Sequence, residues 1–380
     1  MKRMKTSSCI KIASLGDVHL GHPHTRVDYI VTNLCKYLIN HPEFQDLDLL
    51  LINGDVWDQL LTLTSDAANE AEWFIAYLLK ECAKYNIILR VLEGTPLHDC
   101  KHSFKFLSLE NFANFGCNVR HVDILDIEHI PEIDKTILYL PDELTTNPDT
   151  TWELVQKKLA AHGLEQVDYV SMHGAFTYQL PPQAQHNCHD PVRWKKIVKR
   201  HIFINHIHTS SQNGPIIAPG SFDRLRHNEE EDKGYVIVND YGTHSEIKFV
   251  TNSDAKIYKT FKASGMALDD VYNMLSCLDE YPDDSHIRIL ASDTDAIING
   301  MSTLRERWPT MNWSFKREKV AQVVNADTPI FTRYQSKPIN RGNFIEALED
   351  KLGRMGIDKT SDYYPTLMNW TKGVVDEHPA

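Results

Sequence analysis

The chain has 380 residues, of which 42% are hydrophobic and 24% are charged. This length and apolar content predict one large domain with a smaller one, or two domains, and exclude a disordered tail. The formal net charge of −12 argues against a protein that is held on nucleic acid by bulk charge, so any nucleic-acid contact would be a local patch.

The N-terminal residues and the cysteines both favour a cytoplasmic protein. Residues 1–8 run directly into a strand pattern, without an apolar stretch long enough for a signal peptide or a membrane span. The seven cysteines are scattered and form no C-x-x-C pair, which is typical of reduced thiols and argues against a zinc finger. We therefore expect no membrane partner.

Short β-rich apolar runs alternate with longer helical patterns from residue 10 to about residue 250, as in layered α/β proteins. The run 47–53 is almost continuously apolar, which predicts a strand buried on both faces. Ser65 has a suitable side chain to cap the amphipathic helix that follows it. The predicted strands are 9–15, 47–53, 87–93, 135–140, 167–172, 201–205, 234–239 and 246–251, and the predicted helices are 27–39 and 65–84.

A smaller β-α-β unit is predicted after residue 253, followed by a linker that contains Pro and Gly. Its elements are helices over 267–278 and 294–307 and strands over 286–291 and 313–317. The predicted domains are residues 1–253, residues 254–325, and a linker with a C-terminal helical segment over residues 326–380.

The C-terminal segment carries the pattern of an amphipathic helix. Asn343 and Glu346 have the spacing of a capping box, and Gly356 closes the helix. The apolar stripe of this helix consists of Phe344, Leu348, Leu352 and Met355. It needs a surface, which is either a partner protein or the protein's own core, and the sequence leaves both alternatives open.

One predicted strand after another ends in aspartate or histidine residues. Ligands bind at the carboxyl ends of strands in open α/β sheets, so these side chains are expected to meet. One such fragment alone would more often be a turn or a satisfied polar pair, but five in one chain are hard to attribute to chance. They are Gly16-Asp17-Val18-His19, Gly54-Asp55-Val56-Trp57-Asp58, Gly94-Thr95-Pro96-Leu97-His98-Asp99, Met172-His173-Gly174 and Asn205-His206-Ile207-His208.

This order of motifs resembles the calcineurin-like metallophosphoesterases, whose pattern is D-x-H, G-D-x-x-D, G-N-H-D, a lone His and G-H-x-H. A further segment is similar to the P-G-S-x-x-R…E…K-G stretch of the SbcD-type nuclease branch, which includes phage recombination nuclease subunits. Here that segment runs from Pro219-Gly220-Ser221 through Arg224 to Lys233-Gly234. The resemblance covers roughly residues 10–320.

The resemblance implies a four-layer α/β/β/α metallophosphoesterase sandwich, a small α/β capping domain and a C-terminal partner-binding segment. It also implies two divalent metal ions, with Mn²⁺ as the first expectation and Mg²⁺, Fe²⁺ or Zn²⁺ as alternatives, because carboxylates mixed with imidazoles suit such ions. The first ion would be held by Asp17, His19, Asp55 and His208, and the second by Asp55, His173 and His206.

The resemblance makes His98 the catalytic histidine, with Asp99 orienting its ring, and Asp58 a residue that stabilises the metal loop by hydrogen bonds. Two departures stand out. The Asn of G-N-H-D is missing, so the second site would be completed by Thr95, a backbone carbonyl or water. The Gly of G-H-x-H is Asn205, a milder change because both imidazoles are retained.

Other histidines and a basic run have less specific interpretations. His22 and His24 are expected in a surface loop, and His186 and His189 in a mobile loop without a role. The run 193–200 is rich in Lys and Arg. It would either follow a nucleic-acid backbone or be a solvated helix face whose apolar residues lie in the core.

The expected function is a two-metal-dependent DNA nuclease, acting as an exonuclease or endonuclease in recombination or repair. The resemblance implies an SbcC-type, SMC-like ABC ATPase partner and allows a homodimer. Two alternatives stay open, a phosphomonoesterase or nucleotide phosphodiesterase on the same fold, and a noncatalytic scaffold without metals. The scaffold predicts eroded ligands, whereas here only the Asn is missing.

Overall fold

The computed structural model describes residues 9–62, 64–142, 147–185, 187–292 and 295–318, together with Leu348, Glu349, Tyr364 and Met368. The chain divides into two compact units, Met1–Lys319 and Val320–Ala380. Within the second unit, the Tyr364 hydroxyl donates a hydrogen bond to the Glu349 carboxylate. The predicted linker, and the predicted C-terminal apolar stripe apart from Leu348, lie outside the described residues.

Strands and helices alternate over much of residues 10–205, as the sequence predicts, whereas residues 211–262 contain strands alone. The strands are β1 (Ile10–Leu15), β2 (Leu49–Asn53), β3 (Ile88–Leu92), β4 (Val119–Val122), β5 (Asp126–Ile130), β6 (Lys135–Leu140), β7 (Val167–His173), β8 (Val198–Asn205), β9 (Ser211–Asn213), β10 (Ile216–Ala218), β11 (Gly234–Asp240), β12 (Ser245–Thr251), β13 (Tyr258–Lys262), β14 (His286–Ala291) and β15 (Asn312–Arg317). The helices are α1 (Val27–Leu34), α2 (Asp66–Tyr85), α3 (Lys105–Ala113), α4 (Pro148–Ala161), α5 (Pro191–Lys195), α6 (Leu268–Leu275), α7 (Ala296–Asn299) and α8 (Met301–Arg307). None of the described helices is both long and apolar enough to cross a lipid bilayer.

Two six-stranded sheets pack face to face, and helices cover their outer faces. The strand order is β12-β11-β1-β2-β3-β4 in the first sheet and β5-β6-β7-β8-β10-β9 in the second. The core between them contains Leu49 and Leu51 of β2 and Tyr169 of β7. The outer faces pack against α1 and α2 on one side and against α4 on the other. The predicted α/β sandwich is therefore confirmed, with the layers α/β/β/α.

The strand ends of the two sheets meet at one edge. β1, β2 and β3 are parallel to one another, and so are β7 and β8, so neighbouring strands end on the same side. Asn53, the last residue of β2, donates from its amide to Asn205 Oδ1 at 3.3 Å and accepts from the Ser171 hydroxyl at 2.7 Å. These buried hydrogen bonds bring the strand-end motifs of both sheets together.

A small domain (residues 258–317) follows β12 in the chain. Its strands form a parallel sheet in the order β13-β14-β15, and Ile287 and Ile289 of β14 pack against Val271 of α6 and Leu304 of α8. The predicted upper boundary at residue 325 lies outside the described residues.

The small domain differs from the sequence prediction in two places. The strand β13 was not predicted, because its two buried residues, Tyr258 and Phe261, are three positions apart and give no period-2 alternation. The predicted helix 294–307 is instead two short helices, α7 and α8, which meet at Gly300. Glycine favours such a break because it loses more backbone entropy in a helix than any other residue.

The chain enters the small domain through residues 252–257, and the larger domain holds this connection. Asp223 Oδ1 accepts hydrogen bonds from the backbone N–H groups of Arg224 and Lys256 at 2.7 and 2.6 Å. The Arg224 guanidinium donates to the carbonyl oxygens of Ala255 and Lys256. The arginine of the P-G-S-x-x-R stretch therefore anchors the small domain.

Asp223→Asn should alter how folding stability depends on pH. The side chain is fully buried, and burial raises the pKa of Asp223 to about 6. In the unfolded chain an aspartate has a pKa of about 3.9, so wild-type stability falls as the pH rises between these two values. Relative to wild type, the variant should therefore gain about 2 kcal/mol between pH 4 and pH 7. Urea unfolding at both pH values measures this difference, and equal pH dependence of the two proteins would refute it.

Candidate metal centre

The side chains predicted as metal ligands lie at the edge where the strand ends meet. Asp17 and His19 follow β1, Asp55 follows β2, His173 ends β7, and His206 and His208 follow β8. Four of these residues have positive φ angles, which are 48° at Asp17, 54° at His19, 49° at Asp55 and 130° at His206. Non-glycine residues rarely adopt such conformations, and strained positions of this kind cluster at functional sites.

The first ligand group consists of Asp17, His19 and His208, whose ligand atoms all lie within 4.8 Å of one another. Asp17 Oδ2 accepts hydrogen bonds from the backbone N–H of His206 at 3.0 Å and from the Asn205 amide at 3.2 Å. Asp17 Oδ1 and His19 Nε2, in contrast, are buried and have no hydrogen-bond partner among the described residues. Such orphaned atoms are costly to bury, and a cation would satisfy both.

Hydrogen bonds at Nδ1 orient three of the histidine rings. The Nδ1–H of His19 donates to Asp58 Oδ1 at 3.0 Å, and that of His208 donates to Glu229 Oε1 at 3.0 Å. The Nδ1–H of His173 donates to the carbonyl oxygen of Asn53 at 2.7 Å. Each contact makes Nδ1 the donor and so leaves Nε2 as the nitrogen that can face a metal, as acceptors behind metal-binding histidines generally do. The first ligand group therefore fits a metal ion.

The second ligand group consists of Asp55, His173 and His206, also within 4.8 Å of one another. Asp55 Oδ2 lies 3.4 Å from His173 Nε2 and 3.9 Å from His19 Nε2. This one oxygen therefore stands between the two groups. The arrangement suits a carboxylate shared by two ions.

Asp55 and His173 of the second group shift each other's pKa values in opposite directions. Burial opposes ionisation of both Asp55 and His173, but their mutual attraction prevails, so that the pKa of Asp55 is lowered and the pKa of His173 is raised to about 10. Burial and the neighbouring His173 lower the pKa of His206. A metal ion must displace the His173 proton to bind at this group.

Thr95 stands where the family pattern has an asparagine. Its backbone N–H donates to Asp55 Oδ1 at 2.6 Å, and its hydroxyl donates to Asp55 Oδ2 at 3.1 Å and lies 3.4 Å from His173 Nε2. Gly94 allows this approach, because a Cβ there would lie 2.1 Å from the backbone nitrogen of Asp55. The Thr95 hydroxyl therefore places an oxygen beside two members of the second ligand group.

His98 lies beside the first ligand group. Its Nδ1–H donates to the carbonyl oxygen of Asp58 at 2.9 Å, and its ring centroid is 4.9 Å from that of His19. The side chain is 38% exposed, so its Nε2 can reach a molecule from solvent. His19, Asp58 and His98 also offer ligand atoms within 4.8 Å of one another. The geometry is compatible with proton transfer and with metal binding by His98.

Asp99 does not orient His98, contrary to the expectation from the resemblance. Its carboxylate accepts hydrogen bonds from the backbone N–H groups of Asp55, Trp57 and Gly94 at 3.1, 2.9 and 2.6 Å. Burial and the nearby Asp55 raise the pKa of Asp99 to about 7. Asp99 is thus a residue that positions the two metal loops, and the Asp58 carbonyl orients the His98 ring.

Two residues of this site were not assigned a role from the sequence. Glu229 binds His208 Nδ1, and Lys233 is buried and donates from Nζ to the His208 carbonyl oxygen at 2.8 Å. Both belong to the E…K-G stretch, so the sequence marks them as members of a motif. Their role depends on contacts with His208, more than twenty residues away in the chain, which a local sequence pattern does not reveal.

The structure places the histidines outside the two groups only partly as predicted. His22 and His24 are neighbours in the loop after β1, with ring centroids 5.6 Å apart, and burial lowers the pKa of His22 to about 4. His189 is buried against Trp194, with ring centroids 5.2 Å apart, so its predicted place in a mobile loop is wrong. His186 lies outside the described residues.

Several basic side chains of the run 193–200 form ion pairs or hydrogen bonds with other residues of the chain. Trp194 and Ile197 are buried in the core, as the helix-face alternative predicts, but residues 198–200 belong to strand β8 and not to a helix. Arg193 pairs with Asp149, Lys195 donates to Asn213, and Arg200 pairs with Asp240. These contacts favour a structural role for the run over a path for nucleic acid.

Comparisons with known proteins do not assign the chain to a family. No protein-family model and no curated protein sequence matches it. One similar solved structure is GAP50, described as the anchor in the inner membrane complex of Plasmodium, with 14% identity and a TM-score of 0.43 over 66% of this chain and 87% of that one. Another is TT1561 of Thermus thermophilus, with 9% identity and a TM-score of 0.37 over 63% of this chain and 99% of that one. At these scores the likeness supports no argument about function.

Proposed function

We propose that the protein is a two-metal-dependent phosphodiester hydrolase that cleaves DNA. The observation that carries the proposal is the pair of buried Asp/His groups with Asp55 Oδ2 between them. Paired sites of this kind serve in-line displacement at phosphorus. All six predicted ligands are present and oriented toward one another, which argues against a scaffold that has lost its metals.

The chain's own residues have distinct parts in the proposed reaction. Divalent ions, most suitably Mn²⁺ for this ligand set, would polarise the phosphoryl group and supply a nucleophile at neutral pH. His98, whose Nδ1–H donates to the Asp58 carbonyl, presents Nε2 to the substrate and would protonate the leaving oxygen after taking up a second proton from solvent. Asp99 keeps the loops of Asp55 and Gly94 together, so that this geometry exists before substrate binds.

The choice of DNA rests on the motif resemblance to the SbcD-type branch and on the small domain that follows the sandwich. Arg224 connects these two features, because the P-G-S-x-x-R arginine holds the entry to the small domain. We include an SMC-like ABC ATPase partner, a role in recombination or repair, and a homodimer in this proposal on the same resemblance. The C-terminal segment is the proposed partner-binding element.

A substrate comparison tests the proposal. The purified protein is stripped of metal with a chelator and assayed with and without added Mn²⁺ on linear duplex DNA, on bis(p-nitrophenyl) phosphate and on p-nitrophenyl phosphate. We expect Mn²⁺-dependent cleavage of the two diesters and little hydrolysis of the monoester. Faster release from the monoester would indicate a phosphomonoesterase, and inactivity of the metal-loaded protein on all three substrates would indicate a scaffold.

A further inference from the structure

Arg226 places an exposed guanidinium beside the first ligand group. Its Nε donates to Glu229 Oε1 at 2.9 Å, and the same oxygen accepts the Nδ1–H of His208 at 3.0 Å. The Arg226 side chain is 74% exposed, whereas that of Glu229 is 5% exposed. One buried carboxylate oxygen thus holds a metal-group histidine on one side and a solvent-facing cation on the other.

The other cations of segment 221–233 are already engaged. Arg224 donates to the carbonyl oxygens of Ala255 and Lys256, and Lys233 is 1% exposed and donates to His208 and Glu231. Arg226 uses only Nε within the described residues, which leaves its two terminal amino groups to solvent. A guanidinium held at one edge with its other nitrogens exposed is suited to a phosphate, which it can bind with two parallel hydrogen bonds.

The loop that carries Arg226 is held by the small domain. Asn228 Oδ1 accepts from the Arg288 guanidinium at 2.8 Å, and Glu230 pairs with Lys259 at 2.5 Å. These contacts come from two strands of the small domain, on the residues that flank Glu229. The small domain therefore holds the loop just after Arg226, and Glu229 holds the Arg226 Nε, which lowers the entropy cost of a contact with substrate.

The side of His208 on which Arg226 lies indicates which phosphate it would meet. Glu229 and Arg226 are at Nδ1 of the imidazole, which leaves Nε2 as the nitrogen that can join Asp17 and His19 in holding an ion. Arg226 thus lies behind the His208 ring, across Glu229 Oε1 from Nδ1. A phosphate held by its terminal amino groups would therefore be a neighbour of the phosphate at the metal centre.

We propose that Arg226 binds a non-reacting backbone phosphate of the DNA strand, next to the phosphodiester at the metal centre. This inference rests on the proposed function and adds a second phosphate subsite to it. It makes the enzyme prefer a chain of nucleotides over a small isolated diester.

Arg226→Gln tests the subsite through substrates with different numbers of phosphates. For a DNA oligonucleotide we expect KM to rise about tenfold with kcat unchanged, since one charged hydrogen-bonding contact is lost. The kinetics on bis(p-nitrophenyl) phosphate should stay at the wild-type level. Mn²⁺ affinity, measured by calorimetry, should also be unchanged.

A binding measurement keeps this test independent of cleavage. Fluorescence anisotropy of a labelled oligonucleotide in chelator, at several salt concentrations, should show weaker binding by Arg226→Gln and a salt slope smaller by about one phosphate contact. If wild type does not cleave DNA, the proposed function is refuted. The anisotropy measurement would still show whether Arg226 contributes to oligonucleotide binding.

Two further variants identify the alternative explanations. Lys84→Gln removes an exposed, Glu-paired cation at the last turn of α2, away from the strand-end edge, and should leave oligonucleotide affinity unchanged. Glu229→Gln should lower Mn²⁺ affinity by about 10–100-fold through His208. The subsite is refuted if Arg226→Gln binds oligonucleotide like wild type, if it lowers Mn²⁺ affinity as Glu229→Gln does, or if it loses equal activity on the small diester.

Discussion

Asp55→Asn should abolish Mn²⁺-dependent hydrolysis of DNA, with kcat lowered by at least about 10²–10³-fold. Asp55 Oδ2 is the atom between the two ligand groups, at 3.9 Å from His19 Nε2 and 3.4 Å from His173 Nε2. An amide at this position keeps the shape of the side chain but removes the negative charge that two cations would share. Activity and bound metal are measured on the same purified variant.

Asp223→Asn is the matched control for this substitution. It makes the same chemical change at another fully buried aspartate of the same unit, whose contacts go to the backbone of Arg224 and Lys256. We expect this control to keep its metal content and its activity at neutral pH. Full activity of a folded Asp55→Asn protein would overturn the shared-carboxylate assignment.

His98→Ala should lower turnover by about 10²–10⁴-fold, the usual contribution of a positioned acid or base, without loss of metal. The ring is hydrogen-bonded only to the Asp58 carbonyl among the described residues, and its side chain is 38% exposed. Its removal should therefore leave both ligand groups in place. Steady-state kinetics and metal analysis of the variant provide the two readouts.

The control for His98→Ala is His129→Ala, at an exposed histidine of β5 that is remote from the strand-end edge. It should match wild type in both readouts. If metal content falls together with activity in His98→Ala, then His98 is a ligand in the group with His19 and Asp58, and the proton-transfer role is wrong.

The ligand groups could be predicted from the sequence because strand ends are a local signal. An apolar run such as β2, followed at once by Gly54 and Asp55, shows both the strand and the polar edge where it ends. Parallel pairing of neighbouring strands then brings such ends together without further information. Strand ends of both sheets do meet in the structure, and the predicted ligands that follow them lie in the two ligand groups.

The residues that orient the ligands could not be assigned in the same way. Glu229 reaches His208 and Asp99 reaches the backbone of Asp55 and Trp57 only after the loops have folded. The resemblance misled at Asp99, because adjacency to His98 in sequence suggested contact in space. Strand β13 was missed for a different reason, since its buried residues Tyr258 and Phe261 lie three positions apart and do not give the apolar alternation that marks a strand.

The central claim is that Asp55 joins two metal sites, and electron paramagnetic resonance of the Mn²⁺-loaded protein tests it most directly. In wild type, titration should end at two Mn²⁺ ions per chain with the spectrum of an exchange-coupled pair, as expected for ions about 3.5–4 Å apart. Asp55→Asn should show only isolated ions. A single ion per wild-type chain, or two ions without coupling, would contradict the account.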